Sequence, residues 1–255
     1  MQNNTFSQLI IGQKTIYLDR VASTNDYLKE NLSKFKPQDE GTAILAGHQY
    51  AGRGQRQNVW IAEPGKNLTL SVLLYPKHIP IQNQFDLSAA VALACMHFVQ
   101  KHCSQEVRIK WPNDIYVQDK KIGGILIENK IKNTGIAASI VGIGLNINQS
   151  NFTDNSKSSS LKVLNSQEDY NLKVLASELF EQLTFFYHLT QKDPQKIRDL
   201  FNLNLYWHSQ WHNFEDATGI FEGKIEAVNE SGALIIQDKA LELRTFYPKE
   251  VKFVR

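Results

Sequence analysis

Hydrophobic and polar positions along most of the chain follow two periods, one typical of strands and one typical of helices. Residues 67–74, NLTLSVLL, alternate and then become continuously apolar, a pattern that predicts a buried strand. Residues 86–102 carry apolar side chains at helical spacing, which predicts an amphipathic helix packed on a sheet. The same criteria predict strands at 15–18, 42–46, 107–111, 115–117, 122–127 and 136–147, and helices at 23–31, 172–189 and 194–206.

The pattern changes near Trp211, beyond which no helical period remains. Short strands are predicted at 218–228, 232–237, 241–246 and 251–254, separated by turn-forming residues. These features predict a small all-β barrel and a boundary near Ser209, which gives domains 1–208 and 209–255. Before this boundary, residues 149–160 are polar and rich in serine, which predicts a mobile loop.

The composition is that of an ordinary soluble globular protein, with 42% hydrophobic and 21% charged residues in a chain of 255. The net charge of +2 gives no sign of the broad cationic face by which proteins bind nucleic acid non-specifically. The sequence contains neither an apolar run of membrane-spanning length nor a signal peptide. Cys95 and Cys103 are predicted to be free, buried thiols. We therefore expect a cytoplasmic protein that binds neither DNA nor membranes.

A glycine-rich basic segment follows the predicted strand at 42–46 directly. It consists of Gly52, Arg53, Gly54, Gln55 and Arg56. Glycine permits close approach of the backbone to a ligand, and arginine offers paired donors to oxyanions. The segment therefore predicts a loop that binds a phosphate or a carboxylate. Taken alone, it is equally compatible with a solvent-exposed loop that carries two surface arginines.

A second polar segment, KWPND, precedes a predicted strand that contains paired glycines. Pro112 and Asn113 are typical of a tight turn, but a turn does not account for Lys110 and Lys121 around Asp114. Lys121 is followed closely by the glycines, where a ligand can approach the backbone of the strand. The segment therefore favours a ligand site over a purely structural hairpin.

Two familiar nucleotide-binding motifs are excluded. The segment around Lys66 resembles the end of a P-loop, but Trp60 stands where the first glycine belongs. Gly142 and Gly144 lack the third glycine of the dinucleotide-binding fingerprint, because Ile147 occupies its place. If this protein uses ATP, it does so with another fold.

Taken in order, these segments resemble those of the biotin–protein ligases, which attach biotin to carboxylase carrier domains. The family pattern combines a GRGR-like loop, KWPND, a Lys-(Ile/Leu)-(Ala/Gly)-Gly strand and a G-x-G-x-N strand. This chain matches the pattern at 52–56, 110–114, 121–124 and 142–146, and also at 23–25 and Gln49. The resemblance extends over nearly the whole chain.

The resemblance implies an α+β fold in which flanking helices surround a mixed central sheet, as in class II aminoacyl-tRNA synthetases, followed by a small SH3-like β barrel. It also implies two reaction steps. Biotin and ATP, with Mg²⁺, would form biotinyl-5′-AMP and pyrophosphate. A lysine of a biotin carboxyl carrier domain would then take the biotin and release AMP. The Mg²⁺ would be held mainly by the ATP phosphates, with no metal site of its own in the protein.

The resemblance also assigns roles to the matching positions. Neither step needs a protein nucleophile, so catalysis would rest on positioning and charge stabilisation. The catalytic residues would be Arg53, Lys121 and Asp114. The biotin-binding residues would be Ser23, Thr24, Asn25, Gln49, Arg53, Gly54, Gln55, Lys121 and Gly124. The nucleotide-binding residues would be Arg56, Trp60, Lys110, Asn113 and Asn146. The loop at 52–60 is expected to become ordered when ligand binds and to keep water from the adenylate.

The chain departs from the family pattern at one position of the basic loop. Gln55 stands where many members carry the second arginine of GRGR, so weaker retention of the adenylate is expected. The pattern begins at Ser23, which leaves no room for the DNA-binding domain of some bacterial ligases, and we expect an enzyme without repressor function. Family members often associate through the central sheet, so a homodimer is compatible with the resemblance.

Two other interpretations remain open at this stage. A lipoate–protein ligase or octanoyltransferase shares the general fold and the acyl-transfer chemistry, although KWPND together with the GRG loop favours biotin. The chain could also be a catalytically silent module that uses its β barrel to dock a partner. Exchange of pyrophosphate into ATP, driven by biotin, by lipoate or by neither, would separate the three.

Overall fold

A seven-stranded mixed sheet forms the larger part of the molecule. The computed structural model describes residues 9–55, 58–133, 135–152 and 157–254. The strands of the large sheet are β1 (Thr15–Val21), β2 (Ala43–Gln49), β3 (Leu68–Leu74), β4 (Val107–Lys110), β5 (Asp114–Val117), β6 (Lys120–Lys132) and β7 (Gly135–Leu145). They lie in the order β1-β2-β3-β7-β6-β5-β4. β1 and β2 are parallel, and every other neighbouring pair is antiparallel.

Helices cover both faces of this sheet. They are α1 (Thr24–Glu30), α2 (Phe85–Lys101), α3 (Leu161–Asn165), α4 (Leu172–Lys192) and α5 (Pro194–Leu203). Leu70, Val72 and Leu74 of β3 belong to the main hydrophobic core together with residues of α2 and α4. Leu73 lies in a smaller cluster with Leu28 of α1. Because alternate side chains of a strand point to opposite faces, β3 is buried on both sides, as its continuous apolar run predicts.

The C-terminal part of the chain forms a second sheet of antiparallel strands. These are β8 (Trp211–Asp216), β9 (Gly219–Val228), β10 (Leu234–Asp238), β11 (Leu243–Phe246) and β12 (Lys252–Val254), in the order β11-β10-β9-β8-β12. The sequence pattern indicates every one of these strands except β8. Within β8 only Phe214 is buried, so the strand lacks the regular alternation by which the others are recognised. Closure of this sheet into an SH3-like barrel stays a prediction.

The two sheets share one hydrophobic core. Phe214 and Leu234 of the second sheet belong to the same buried cluster as the residues of α2 and α5. Across the junction, Val228 N donates a hydrogen bond to Asn202 Oδ1 at 2.8 Å, and Asn202 Nδ2 donates one to Val228 O at 3.3 Å. The core is continuous across the predicted boundary, and the division into two domains stays a prediction.

Some elements extend beyond their predicted ends. β6 continues to Lys132, past the predicted end at 127, because it forms a long hairpin with β7. The outer half of this hairpin is partly exposed, so its residues do not alternate between apolar and polar in the way that predicts a strand. The helix predicted at 172–189 extends to Lys192, and the short helix α3 is not evident in the sequence pattern.

The polar segment at 149–160 is held at both of its described ends. Gln149 Oε1 accepts a hydrogen bond from Asn67 Nδ2 at 2.6 Å. Ser160 caps α3 by accepting a hydrogen bond from Val163 N at 3.2 Å. Gln149 and Ser160 are both buried. These flanks therefore differ from the mobile loop that the composition predicts, and residues 153–156 lie outside the described part of the chain.

Two expectations drawn from the composition can be compared with the structure. Cys95 and Cys103 are free and buried, as predicted. Burial raises the pKa of both thiols, so little reactive thiolate is present at neutral pH. Among the described residues, no helix combines the length and the apolar character that crossing a membrane requires.

Candidate active site

A cavity of about 570 Å³ lies where the start of α1, the loop after β2, the β4–β5 turn and strands β6 and β7 meet. The last residues of the second sheet close one side of it. The predicted site residues that line this cavity are Ser23, Thr24, Asn25, Gln49, Arg53, Gly54, Gln55, Trp60, Asn113, Asp114, Lys121 and Gly124. The fold therefore brings the separate sequence segments together around one space.

Polar side chains from α1 and the neighbouring strands form one end of the cavity. Gln49 Oε1 accepts hydrogen bonds from Thr24 N at 2.7 Å and from Thr24 Oγ1 at 2.9 Å. The buried hydroxyl of Ser71 lies 2.6 Å from Thr24 Oγ1 and 2.5 Å from Asn25 Oδ1. Ser23 is the N-cap of α1. This polar end therefore offers both donors and acceptors to a small polar ring.

Two glycines of β7 keep the floor of the cavity open. A Cβ at Gly142 would lie 2.4 Å from Asn25 Oδ1. A Cβ at Gly144, two residues further on the same face of the strand, would lie 2.4 Å from Cε2 of the Trp60 indole. Glycine at both positions therefore allows Asn25 and Trp60 to lie directly against the strand.

The guanidinium of Arg53 is held by two carboxylates at the edge of the cavity. Arg53 Nη2 lies 2.7 Å from Asp26 Oδ1 and 2.6 Å from Glu128 Oε2. Glu128 also accepts a hydrogen bond from Asn25 Nδ2 at 2.9 Å, and Lys29 Nζ lies 3.4 Å from its Oε1. Burial alone would raise the pKa of Glu128, but hydrogen bonds from Asn25 and Arg53 and the nearby positive charges hold that pKa below its usual range. Glu128 is therefore an anion at neutral pH.

A second charged pair lies between β5 and β6. Lys121 Nζ lies 2.6 Å from Asp114 Oδ1. A Cβ at Gly124 would lie 3.4 Å from that same oxygen and 3.6 Å from Lys121 Nζ, so the glycine leaves the pair accessible. The backbone of Lys121 is fixed, because its N donates to Lys157 O at 2.8 Å and its O accepts from Ser159 N at 3.0 Å. A firmly held cation therefore faces the cavity.

The described residues on either side of the glycine-rich loop after β2 pair with one another. Trp60 N donates to Gly52 O at 2.9 Å, and Gly54 N donates to Asn58 O at 2.7 Å. A Cβ at Gly52 would lie only 2.4 Å from Trp60 O, so this closure requires glycine. Arg53 Nε and Trp60 Nε1 are buried and have no hydrogen-bond partner among the described residues. Because a buried donor without a partner costs roughly 1–3 kcal/mol, a ligand acceptor that reached either N–H group would be favoured.

Some predicted residues lie outside the lining of this cavity. Lys110 Nζ lies 4.8 Å from the centre of the Phe253 ring. Asn146 lines a second cavity, also of about 570 Å³, which shares Trp60 with the first. Arg56 lies outside the described residues. The nucleotide-binding roles of Lys110, Asn146 and Arg56 stay predictions.

The structure also places residues at the site that the sequence analysis missed. Glu128 lies on the same face of β6 as Gly124, and counting along the strand in steps of two from that glycine could have found it. Pro248, Lys249 and Lys252 reach the cavity from the second sheet. No local pattern indicates these three, because only the docking of the second sheet brings them there.

Comparison with known proteins agrees with this combination of fold and site. The sequence profile of the biotin/lipoate A/B protein ligase family matches residues 17–148, more than half of the chain. The chain belongs to this family and is a ligase. The resemblance to biotin–protein ligases that the sequence motifs indicate is thereby confirmed.

Individual relatives cover different shares of the chain. The bifunctional ligase/repressor BirA of Bacillus subtilis is 29% identical over 241 residues, which span 89% of this chain and 70% of the relative. The biotin–[acetyl-CoA-carboxylase] ligase of Paracoccus denitrificans is 35% identical over 133 residues, which span 51% of this chain and 53% of the relative. The biotin protein ligase from Aquifex aeolicus, solved in complex with biotin and ATP, aligns with a TM-score of 0.78 at 24% identity. That alignment covers 95% of this chain and 99% of the other, and it shows a shared α+β fold with a large mixed sheet.

Proposed function

We propose that this protein is an ATP-dependent biotin–protein ligase that acts in two steps. In the first step, a carboxylate oxygen of biotin attacks the α-phosphorus of ATP, which forms biotinyl-5′-AMP and releases pyrophosphate. In the second step, the amine of a lysine in a biotin carboxyl carrier domain attacks the acyl carbon, loses a proton, forms an amide and releases AMP. The observation that carries this proposal is a single cavity with a neutral polar end and two cations at its edge.

The polar end of the cavity favours biotin over lipoate. A ureido ring presents N–H donors and a carbonyl acceptor, which match the side chains of Thr24, Asn25 and Gln49. The dithiolane ring of lipoate offers no partners of comparable strength. Sites built to hydrogen-bond a ligand reject analogues that cannot, because the hydrogen-bonding capacity left over in such a site loses water and gains no ligand partner. The solved Aquifex aeolicus relative, which holds biotin and ATP, supports the same choice.

Two cations would stabilise the first step. Biotin carboxylate and the ATP phosphates repel one another, so a cation beside each lowers the barrier to attack. Lys121, fixed by its backbone and paired with Asp114, supplies one positive charge. Arg53 supplies the other, and its buried Nε would donate to a carboxyl or phosphoryl oxygen of the ligand. Neither group needs to form a covalent bond.

The nucleotide would extend from the α-phosphate past Trp60 into the second cavity. Trp60 lines both cavities, and its indole would offer a flat face to an adenine ring. Asn146 lines the far cavity, and Asn113 lies in the turn beside the near one. The roles proposed for Arg56 and Lys110 rest on the sequence motif.

We propose that Mg²⁺ enters the site bound to ATP. Its preferred ligands are oxygens, which the triphosphate supplies. The carboxylates of Asp114 and Glu128 are already paired with Lys121 and Arg53. The described residues include no group of three or more His, Cys, Asp or Glu side chains that could hold a metal ion. When bound, the metal would neutralise phosphate charge during the displacement.

The second step would take place on the side of the cavity closed by the second sheet. Asp114 faces the cavity beside Lys121 and is proposed to lie near the incoming lysine of the carrier domain. Lys249 and Lys252 border the same space and would favour the departure of the AMP anion. We propose further that the second sheet is the SH3-like barrel of the family and that the enzyme is cytoplasmic.

Exchange of labelled pyrophosphate into ATP tests the first step directly. Wild-type protein is expected to catalyse exchange with biotin and not with lipoate. Lys121→Ala and Arg53→Ala are each expected to reduce exchange at least about tenfold, because each removes a charge worth about 1.4 kcal/mol or more in the transition state. Lys120→Ala is the matched control, since this neighbouring lysine of β6 does not line the cavity, and it should retain wild-type exchange.

Two results would overturn the proposal. Exchange driven by lipoate in place of biotin would assign the site to the other substrate of the family. No exchange at all, beside an active control ligase, would assign the chain to a binding module without activity. Transfer is tested separately by incubation with a carrier domain, with a Lys→Arg variant of its acceptor lysine as the control that should stay unlabelled.

A further inference from the structure

A continuous chain of hydrogen-bonding groups links the polar end of the cavity to Arg53. The groups that contact one another in turn belong to Gln49, Thr24, Ser71, Asn25, Glu128 and Arg53. A single oxygen, Glu128 Oε2, receives both the Asn25 Nδ2 donor at 2.9 Å and the Arg53 Nη2 donor at 2.6 Å. Glu128 is therefore the point where the polar end of the cavity and the basic loop meet.

The two carboxylates beside Arg53 engage only one corner of its guanidinium. Both Asp26 and Glu128 contact Nη2, whereas Nε is buried without a partner among the described residues. An arginine held in this way keeps its Nε–H as a donor for an oxyanion. The arrangement orients the Arg53 side chain without giving every one of its N–H donors a partner.

Glu128 is the stronger of the two anchors. Its side chain is 24% exposed, against 34% for Asp26, so its charge is less screened by solvent. It also lies in the middle of β6, whereas Asp26 lies in the first turn of the short helix α1. The backbone of Glu128 is held by the sheet, whereas Arg53 lies on a loop between two glycines. Glu128 can therefore fix the position of the Arg53 side chain.

We propose that Glu128 is a positioning residue that holds Arg53 so that its remaining donors meet the anionic linkage of biotinyl-5′-AMP. The inference rests on the proposed function. Without the carboxylate, the long Arg53 side chain would spread over several rotamers and turn partly toward solvent. Affinity for the charged part of the ligand would then fall. The head-group contacts at the polar end do not involve the guanidinium, so they would persist as long as residue 128 keeps an acceptor for Asn25.

Binding of two probes to the full chain, measured by titration calorimetry, tests this role. One probe is biotinyl-5′-AMP, and the other is biotin methyl ester, which has the same ring and chain but no anionic group. In Glu128→Gln the amide oxygen still accepts from both Asn25 and Arg53, whereas the guanidinium loses the negative charge opposite it. We expect affinity for biotinyl-5′-AMP to fall about tenfold and affinity for the methyl ester to change less than about twofold.

A double-mutant cycle shows whether the effect passes through Arg53. In an Arg53→Ala background, Glu128→Gln is expected to cause no further loss of affinity for biotinyl-5′-AMP, because the group it positions is gone. Lys29→Ala is the matched control. Lys29 contacts the other oxygen of Glu128 at 3.4 Å and does not line the cavity, so its removal should leave both affinities unchanged.

Three results would overturn the inference. These are an unchanged affinity of Glu128→Gln for biotinyl-5′-AMP, equal losses for both probes, and the same loss in the Arg53→Ala background as in the wild type. Thermal unfolding checks that each variant is folded. If Glu128→Gln does not fold, Glu128→Asp replaces it, since it keeps the charge but withdraws it by one methylene, and the same criteria apply. Failure of wild-type protein to bind either probe would instead count against the proposed function.

Discussion

At the scale of single residues, the floor of the cavity depends on two glycines, whose lack of a side chain leaves room for neighbouring groups. Gly142 and Gly144 appear in the sequence as part of a family motif, and the sequence does not say what the missing side chains make room for. The structure supplies the reason, since Asn25 and Trp60 occupy the space that each Cβ would fill. The neighbours come from distant segments, so no local pattern could have identified them.

Replacing one of these glycines should damage ligand binding without damaging the strand. In Gly142→Ala the new methyl group would meet Asn25 Oδ1 at 2.4 Å and displace that side chain from the polar end. We expect affinity for biotin to fall by about tenfold or more, measured by calorimetry. Gly135→Ala is the matched control, because it lies on the same strand and its Cβ would meet nothing within 4 Å. Wild-type affinity in Gly142→Ala would contradict this account of the floor.

Other site residues could not be read from the sequence for a similar reason. Arg53 and Lys121 stand in glycine-containing motifs that indicate chemistry, and both line the cavity. Ser71 and Glu128 stand in ordinary strand sequences, and their roles depend on which faces of β3 and β6 meet. A hydrogen bond between residues 75 positions apart leaves no trace in local composition.

At the scale of elements, agreement with the sequence follows the strength of the burial pattern. β3 and α2 are predicted within about a residue of their observed ends, because burial on one or both faces imposes a clear period. β8 is missed because it buries one residue, and α3 because it spans only five residues. The formation of weakly buried elements depends on contacts with distant segments, and local sequence patterns do not indicate those contacts.

The contact between α5 and β9 provides a test of element docking. Asn202→Ala removes both hydrogen bonds to Val228. The backbone N–H and C=O of Val228 then lose these partners. We expect the free energy of unfolding to fall by roughly 1–3 kcal/mol, measured by urea denaturation. Gln195→Ala, on the same helix, removes only an exposed contact with Asp199 and should change stability by less than about 0.5 kcal/mol. Equal effects of the two substitutions would show that the junction is not specifically stabilised by Asn202.

At the scale of the whole molecule, the two sheets form one structure. Phe214 of the second sheet and Phe201 of α5 are buried in the same cluster. Trp111, in the turn before β5, donates from Nε1 to Gly232 O, in the turn between β9 and β10, at 3.0 Å. The change of hydrophobic pattern near Trp211 is therefore visible in the sequence. The extent of the contact between the two parts is not.

A shared core predicts that both sheets unfold together. Thermal unfolding followed by far-ultraviolet circular dichroism and by tryptophan fluorescence is expected to give one transition at one temperature. The fluorescence signal includes Trp207 and Trp211 at the junction, so early release of the second sheet would be detected. Two separated transitions would contradict a common core and would support the domain division that the sequence predicts.

The polar end of the cavity has a thermodynamic consequence. Thr24, Gln49, Ser71 and Asn25 already hydrogen-bond one another, so an arriving ring exchanges hydrogen bonds and adds few new ones. The net gain from those polar groups is therefore small, and they act mainly by excluding rings that cannot complete the exchange. Most of the affinity then comes from the apolar surface that the ligand buries and from its contacts with the cations. The polar end thus decides mainly which ring is accepted, and the rest of the cavity decides mainly how tightly the ligand is held.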